Sequence, residues 1–398
     1  MPLRILHVLA SPHFGGAERM CHALASECQR RGHDVALFIS QHGKVKDEFE
    51  KIGIKVFTPD VSISPEQDRF ASRRVAKQAL SDTINQWKPS IIHSHVPVTN
   101  LICNKLLKNS IIPWIATIHG SWKQFGYAPE TVNKPYLKPY LIIRHAIGSR
   151  ITTHSAACII APASDVKRSL EQVGIETKRI RVIINGIDGS PVSVSKSDAR
   201  LKFGMRPDTV TIGSVGYLAP VKGFDLLIRA LIRLKQRGFD ADLFIVGGDV
   251  LGDRSVRSSL EQLIDVSQKR ASIRLLGPVD SISEFLSGLD LYVVASRSEG
   301  LPLALIEAMQ HGLPSLVSSA GGSREAARDG VESLVFQSGN VKDLADKLET
   351  LLNNPSMREA MGRAAAARAS TYLTLSRCTD EYEKVYHEVV KGSQVACK

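Results

Sequence analysis

Short apolar runs separated by helical patterns recur from one end of this 398-residue chain to the other. They fall at residues 4–9, 34–40, 55–58, 91–95, 114–119, 158–161 and 181–184. They return at 210–215, 242–246, 273–276, 291–295, 315–318 and 333–336. Most are continuously apolar, as strands buried on both faces of a parallel sheet must be. Between them lie stretches such as residues 224–237, FDLLIRALIRLKQR, with apolar residues at helical spacing. Strand–helix alternation throughout points to an α/β fold of doubly wound parallel sheets.

The length is too great for one ordinary core and suits two domains. Residues 189–198, GSPVSVSKSD, are rich in serine, contain a proline and lack periodicity, so the break is placed there. The expected division is a first domain over 1–190, a second over 191–376, and a last segment over 377–398 with a helix at 377–391. No apolar run approaches the length that spans a bilayer. Residues 1–10 have no small-residue cleavage pattern after them and are expected to form the first strand, hence a cytoplasmic protein. The six cysteines are scattered, with no C-x-x-C pair, which argues against a zinc site or a disulfide framework. Residues 1–190 hold 25 Lys and Arg against 15 Asp and Glu, whereas residues 191–398 hold 26 against 25. A first half at +10 beside a second at +1 is a statement about partners.

Ligands of doubly wound sheets bind beyond the carboxyl ends of the strands, so the residues after each run carry the functional reading. Gly15 and Gly16 follow the first run and open a helix, where a backbone can approach an anion. His119, followed by Gly120, ends the fifth run and is expected to face a cleft. Lys222, in the turn Gly216–Gly223, offers a positive charge to a diphosphate. The segment from Ser296 to Met309 is the most informative. It places Arg297, Glu299, Gly300 and Leu301 in a loop, Pro302 at a helix start, and Glu307 among apolar neighbours. A carboxylate so placed needs partners, which ligand hydroxyls would provide. Gly321, Gly322 and Ser323 repeat the strand, glycine pair and helix, as a second phosphate-loop candidate. Asp240-Ala241-Asp242 has the spacing of a metal-binding D-x-D. It begins a run rather than ending one, so it is expected to be a solvated loop, with no metal or other cofactor required.

This ordered series resembles the retaining family 4 glycosyltransferases, over nearly the whole chain. The carriers are Gly15-Gly16, Thr117-Ile118-His119-Gly120, Asn185-Gly186-Ile187-Asp188, Lys222-Gly223, the pair Glu299 and Glu307, and Gly321-Gly322-Ser323-Arg324-Glu325. The resemblance implies the GT-B architecture: two Rossmann-like domains facing across a cleft, with a C-terminal helix crossing back to the first. It implies that Glu307 binds the donor's ribose, Glu299 its sugar and Lys222 its diphosphate, and that His119 lines the reacting centre. It implies catalytic roles for His119 and Glu299. Tyr217 stands where family members usually carry an arginine, which would shift phosphate binding to a neighbour such as Arg297 or Arg324.

The expected activity is metal-independent retaining transfer from a UDP- or GDP-sugar to a glycan or lipid-linked acceptor in cell-envelope polysaccharide or lipopolysaccharide synthesis. Residues 101–150 hold seven Lys and Arg and one acid, mixed with Trp122, Phe125, Tyr127, Tyr136 and Tyr140. Such a mixture suits the headgroups of an anionic membrane, so peripheral attachment through the first domain is expected. Nucleic acid is not an expected partner, because no motif for it appears. The rival readings are a GT-B epimerase or phosphorylase and a nucleotide-sugar-binding subunit without activity. A dehydrogenase is disfavoured by the missing G-x-G-x-x-G.

Overall fold

The computed structural model describes residues 1–10, 14–59, 69–121, 138–189, 194–250, 252–269 and 272–396. Along the first half run β1 (Arg4–Leu9), α1 (Gly16–Arg30), β2 (Asp34–Ile39), α2 (Lys44–Lys51), β3 (Lys55–Phe57) and α3 (Arg69–Trp87). They are followed by β4 (Ile91–Ser94), α4 (Pro97–Leu107), β5 (Trp114–Thr117), α5 (Lys138–Thr152), β6 (Cys158–Ala161), α6 (Ser164–Glu171) and β7 (Ile180–Val182). The second half runs α7 (Lys196–Phe203), β8 (Val210–Val215), α8 (Phe224–Gln236), β9 (Ala241–Val246), α9 (Ser255–Val266), β10 (Ile273–Gly277), α10 (Ile282–Ser287) and β11 (Leu291–Val294). It ends with α11 (Leu303–Gln310), β12 (Ser315–Ser318), α12 (Ser323–Ala326), β13 (Ser333–Phe336), α13 (Val341–Asn353), α14 (Pro355–Thr371) and α15 (Leu375–Ala396).

The chain forms two compact units. Unit 1 is Met1–Trp122, Ile143–Asp188 and Leu375–Lys398; unit 2 is Lys123–Ile142 and Gly189–Thr374. Unit 1 holds a seven-stranded sheet in the order β3-β2-β1-β4-β5-β6-β7, and unit 2 a six-stranded sheet in the order β10-β9-β8-β11-β12-β13. Every pairing is parallel. All thirteen apolar runs are strands, because a segment apolar on both faces is stable only between two layers of helix. Each unit is Rossmann-like, with its own core. Unit 1 buries Leu6, Phe38, Leu80, Trp114 and Ile159; unit 2 buries Leu227, Leu231, Ile245, Val293 and Phe336.

Some boundaries differ from those expected. β5 stops at Thr117, so His119 lies two residues beyond it, although Ile118 still bonds to the Ile160 carbonyl at 2.9 Å. The last helix starts at Leu375 and runs to Ala396, longer than 377–391 at both ends. Asp188, the last residue of unit 1 before the chain leaves it, accepts the Leu375 N–H at 3.1 Å and so anchors the returning helix. α15 packs on α1. Arg31 reaches Glu383 at 3.0 Å and both the carbonyl and the hydroxyl of Ser376 at 2.9 Å, and His33 meets Glu383 at 2.9 Å. Cys21, Cys28, Cys103, Cys158 and Cys378 are free and buried, core filler rather than ligands.

The unit 1 core also holds His7, His93 and His95, which are 0%, 0% and 2% exposed. Burial pulls the His7 imidazole down to about 3, and burial with the neighbouring imidazoles pulls His93 and His95 well below the ordinary range. Above pH ~6.5 these histidines are neutral whether folded or not and add no pH dependence. Below it the unfolded chain takes up protons that the folded chain refuses, so stability falls as the pH falls. Each fully titrating histidine removes about 1.4 kcal/mol per pH unit. Denaturant unfolding followed by a unit 1 probe such as Trp114 should therefore lose several kcal/mol of stability between pH 7 and pH 5. A flat profile across that window would contradict neutral burial of the three rings.

Candidate active site

In each sheet the strand order reverses once, between β1 and β4 and between β8 and β11. The loops leaving the carboxyl ends on either side of a reversal diverge and open a crevice. In unit 2 these are the loops after β8 and β11, and both carry the residues singled out in the sequence.

Lys222 closes a single 3₁₀ turn, Pro220–Lys222, and Gly223 then takes φ +66°. A side chain at Gly223 would place its Cβ 2.1 Å from the Ala295 carbonyl oxygen, so only glycine lets this loop lie against the end of β11. The Lys222 ammonium forms an ion pair with Glu299, and the Ser296 hydroxyl donates to the same carboxylate oxygen at 2.8 Å. The pair spans the reversal, one member from each loop. Gly321, at φ +73°, lies close under Glu299, where a Cβ would come within 2.5 Å of the Glu299 carbonyl oxygen. The Gly322 N–H donates to the Gly300 carbonyl at 2.7 Å. The loops after β8, β11 and β12 are thus held together, with Glu299 at their junction and Leu301 buried beneath.

The remaining candidates sort by their partners. Arg297 gives its guanidinium to Asp225 in a two-pronged ion pair, at 2.8 and 2.6 Å, and to the Pro220 carbonyl at 2.6 Å. It is committed to positioning the Lys222 loop, which is what a planar fork does best. Arg324 is exposed, and Tyr217 is 44% exposed. Glu307 is half-buried in α11, flanked by the buried Leu303, Leu305, Ile306, Ala308 and Met309. Burial first, and then the charges of Glu307 and Glu299, raise the Tyr292 phenol far above its ordinary range. The Ser323 hydroxyl is fully buried and bonded to nothing.

In unit 1, the Gly15 N–H donates to the buried carboxylate of Glu18 at 3.2 Å, so the start of α1 already holds an anion of its own. Gly16 is exposed with open space where a side chain would go, and no packing demand explains the glycine. His119 is half-buried, burial pulls it down to about 4, and its Nε2 sits 3.3 Å from His95 Nδ1. The sequence reading singled out His119 and missed the three histidines behind it. Their signal was present as His7 inside the first run and the His93-Ser94-His95 pair at the carboxyl end of the fourth, polar residues in otherwise apolar runs.

The Asp240/Asp242 expectation needs correction. Asp242 lies inside β9 and is 2% exposed rather than solvated. Arg206 holds it at 2.7 and 2.8 Å and grips Asp240 as well, at 2.7 and 3.1 Å. A buried carboxylate requires such a partner, and the pair is a structural clamp at the amino edge of the sheet. Of the aromatic and basic residues expected to meet a membrane, Trp122, Lys123, Phe125, Tyr127, Lys134 and Tyr136 lie outside the described residues.

Comparisons with known proteins bear on this arrangement. Residues 14–190 match the family described as Glycosyltransferase Family 4, and residues 195–368 match Glycosyl transferases group 1. The D-inositol 3-phosphate glycosyltransferase of Paenarthrobacter aurescens is 25% identical, over 95% of this chain and 94% of its own. The N-acetyl-alpha-D-glucosaminyl L-malate synthase of Bacillus anthracis is 22% identical, over 96% of each. The Anabaena protein HepE, solved in complex with UDP and glucose, superposes with a TM-score of 0.80 at 21% identity, covering 97% of this chain and all of its own. Two sheets with reversals, the loops at their carboxyl ends and two adjoining family matches lead to one assignment: the chain is a GT-B glycosyltransferase and belongs to the group 1, family 4 enzymes.

Proposed function

We propose that this enzyme is a retaining glycosyltransferase that moves a sugar from a UDP- or GDP-sugar to a glycan or lipid-linked acceptor in cell-envelope polysaccharide or lipopolysaccharide synthesis. The observation that carries the donor reading is the Lys222–Glu299 pair across the β8/β11 reversal, with Glu307 in the helix that follows. In this reading Lys222 would meet a diphosphate, Glu299 the hydroxyls of the donor sugar and Glu307 those of the ribose. Arg297 positions the Lys222 loop through Asp225. The unpartnered Ser323 hydroxyl and the tight Gly321 turn supply the third wall. Within unit 1, Gly16 leaves the start of α1 open to close approach by a ligand, and His119 is read as a residue of the reacting centre. Solved with UDP and glucose, the Anabaena neighbour supports a nucleoside diphosphate as the group bound.

In the transfer, the bond from the anomeric carbon to the diphosphate breaks and the acceptor oxygen bonds to that carbon on the same face. The acceptor's proton passes to the departing diphosphate oxygen. The transition state is oxocarbenium-like, so the protein's task is to stabilise the leaving diphosphate and orient both substrates. A lysine and helix starts serve this without a metal ion. By calorimetry, Glu307→Gln should weaken free UDP or GDP by about 10-fold, because a neutral amide is the poorer acceptor for ribose hydroxyls. Lys222→Ala should lower kcat by at least about 100-fold, and wild-type turnover should survive excess EDTA. Unchanged nucleotide affinity in Glu307→Gln, or loss in EDTA restored by magnesium or manganese, would overturn this assignment of the donor site.

The acceptor reading rests on a surface of unit 1. Ile143, Ile147 and Ile151 on α5 are 57%, 53% and 55% exposed. Spaced four apart, they form one stripe, and at 3.6 residues per turn the exposed Arg144 and Arg150 fall on either side of it. An apolar stripe between two cations fits the interface of an anionic bilayer, each cation adding about 1 kcal/mol. Among the described residues no helix is long and apolar enough to cross a membrane, so attachment would be peripheral, at the inner face. A soluble anionic acceptor is the second reading, supported by the +10 of the first half and by the inositol 3-phosphate and malate in the relatives' names. Vesicle co-sedimentation distinguishes them. Binding should rise with anionic lipid, fall with salt and drop at least several-fold in Ile143→Ser/Ile147→Ser. No binding to mostly anionic vesicles at low salt would leave the soluble acceptor.

A further inference from the structure

Four imidazoles line the carboxyl half of the unit 1 sheet. His7 in β1 and His93 in β4 are register partners; His95 follows β4 and His119 follows β5. His7 Nδ1 lies 2.9 Å from His95 Nε2, and His95 Nδ1 lies 3.3 Å from His119 Nε2. The His95 and His119 rings stack, 21° from parallel with centroids 5.5 Å apart. His93 is spoken for separately. Its Nδ1 meets the Tyr386 hydroxyl at 2.8 Å and its Nε2 the Thr117 hydroxyl at 2.7 Å, while its ring lies 3.9 Å from that of His95.

We propose that His95, backed by His7, is a positioning residue that locks His119 into one orientation and one tautomer, with the proton on Nδ1. His119 then meets its ligand as a hydrogen-bond donor. The proposal rests on the reading of His119 as a residue of the reacting centre and deepens it.

The tautomer follows from counting protons. A neutral imidazole has one donor and one acceptor, so in a chain linked nitrogen to nitrogen, fixing one ring fixes all three. Two directions exist. In one, His119 donates to His95, His95 donates to His7 Nδ1, and the His7 proton sits on Nε2. That atom is buried and has no hydrogen-bond partner, so this direction buries an orphan N–H. In the other, His7 Nδ1–H donates to His95 Nε2, and His95 Nδ1–H donates to His119 Nε2. The His7 orphan is then only a lone pair. Orphan buried N–H groups are the rarer of the two kinds and leave a donor desolvated at full cost, so the second direction holds. Burial keeps all three rings neutral in the physiological range, with His7 at about 3, His119 at about 4 and His95 also pulled well down. His119 is therefore a fixed dipole rather than a titrating base.

His7, His93 and His95 could also be taken as three metal ligands, since one nitrogen of each lies within 4.8 Å of the others. The hydroxyls of Tyr386 and Thr117 already occupy both nitrogens of His93, which favours the hydrogen-bonded chain.

Long-range proton–nitrogen correlation spectra of the full-length protein, with ¹⁵N-labelled histidine, test this directly at pH 7.5. The His119 signals, identified by their loss in His119→Gln, should show a protonated Nδ1 and an unprotonated Nε2. In His95→Leu the His119 tautomer should redistribute, and kcat should fall about 10- to 100-fold with little change in donor KM. His95→Asn, whose amide can donate from the position of Nδ1, should restore the tautomer and most of kcat. A wild-type His119 protonated on Nε2 would overturn the proposal, as would a His95→Leu protein whose His119 tautomer is unchanged. So would stoichiometric zinc on the isolated protein that His7→Gln abolishes. The wild-type spectrum needs no turnover, and His119→Gln serves only to identify its signals. It therefore stands apart from the glycosyl-transfer reading, which fails only if wild-type enzyme transfers no sugar.

Discussion

Parallel strand pairing is the constraint on which the rest of this molecule depends. Parallel neighbours cannot be joined by a tight turn, so each strand must be followed by a crossover of a dozen residues or more. The crossovers here are helices, and they bury both faces of each sheet. All strands then point the same way, and every loop that follows a strand emerges at one edge. Where the order reverses, β1 beside β4 and β8 beside β11, successive crossovers lie on opposite faces and their loops part. Lys222, Glu299, His95 and His119 all lie on loops at those edges.

What holds the carboxyl edge of unit 2 together is a set of mutual requirements rather than one strong bond. Gly223 can approach the end of β11, and Gly321 can lie under Glu299, only because neither has a side chain. Arg297 joins the Lys222 loop to its own through Asp225 and Pro220. The Lys222–Glu299 pair is partly exposed, so its Coulomb energy is modest. Its importance is positional, since it sets a cation and a carboxylate side by side where a charged, hydroxylated ligand would lie. In unit 1 the same edge is built differently, from neutral imidazoles whose hydrogen bonds replace charge.

Much of this could be read from residues alone. Continuous apolar runs pointed to buried parallel strands because they are only four to seven residues long and a parallel strand is covered on both faces. The loops after β8 and β11 stood out because glycine, proline and paired carboxylates have few other reasons to recur after strands. Contacts between residues distant in sequence were not legible. Arg297 looked like a free cation until Asp225, 72 positions away, was found in its grasp. Asp242 looked solvated until Arg206 appeared beside it. The histidine chain assembles residues from β1 and from the loops after β4 and β5, which only the strand order brings together. Ile143 and Ile147 of the α5 stripe lay within a segment flagged for its charge, yet the stripe's apolar character becomes visible only when exposure is known.

The account's central claim is that the donor's diphosphate is held at the carboxyl edge of the unit 2 sheet, between the loops after β8 and β11. A crystal structure with a non-hydrolysable UDP- or GDP-sugar analogue tests it most directly. The account predicts diphosphate oxygens within hydrogen-bonding distance of the Lys222 ammonium, with ribose hydroxyls on Glu307 and the sugar against Glu299. A nucleotide bound at the amino edge of that sheet, beside Asp240 and Asp242, or held by unit 1 alone, would contradict it.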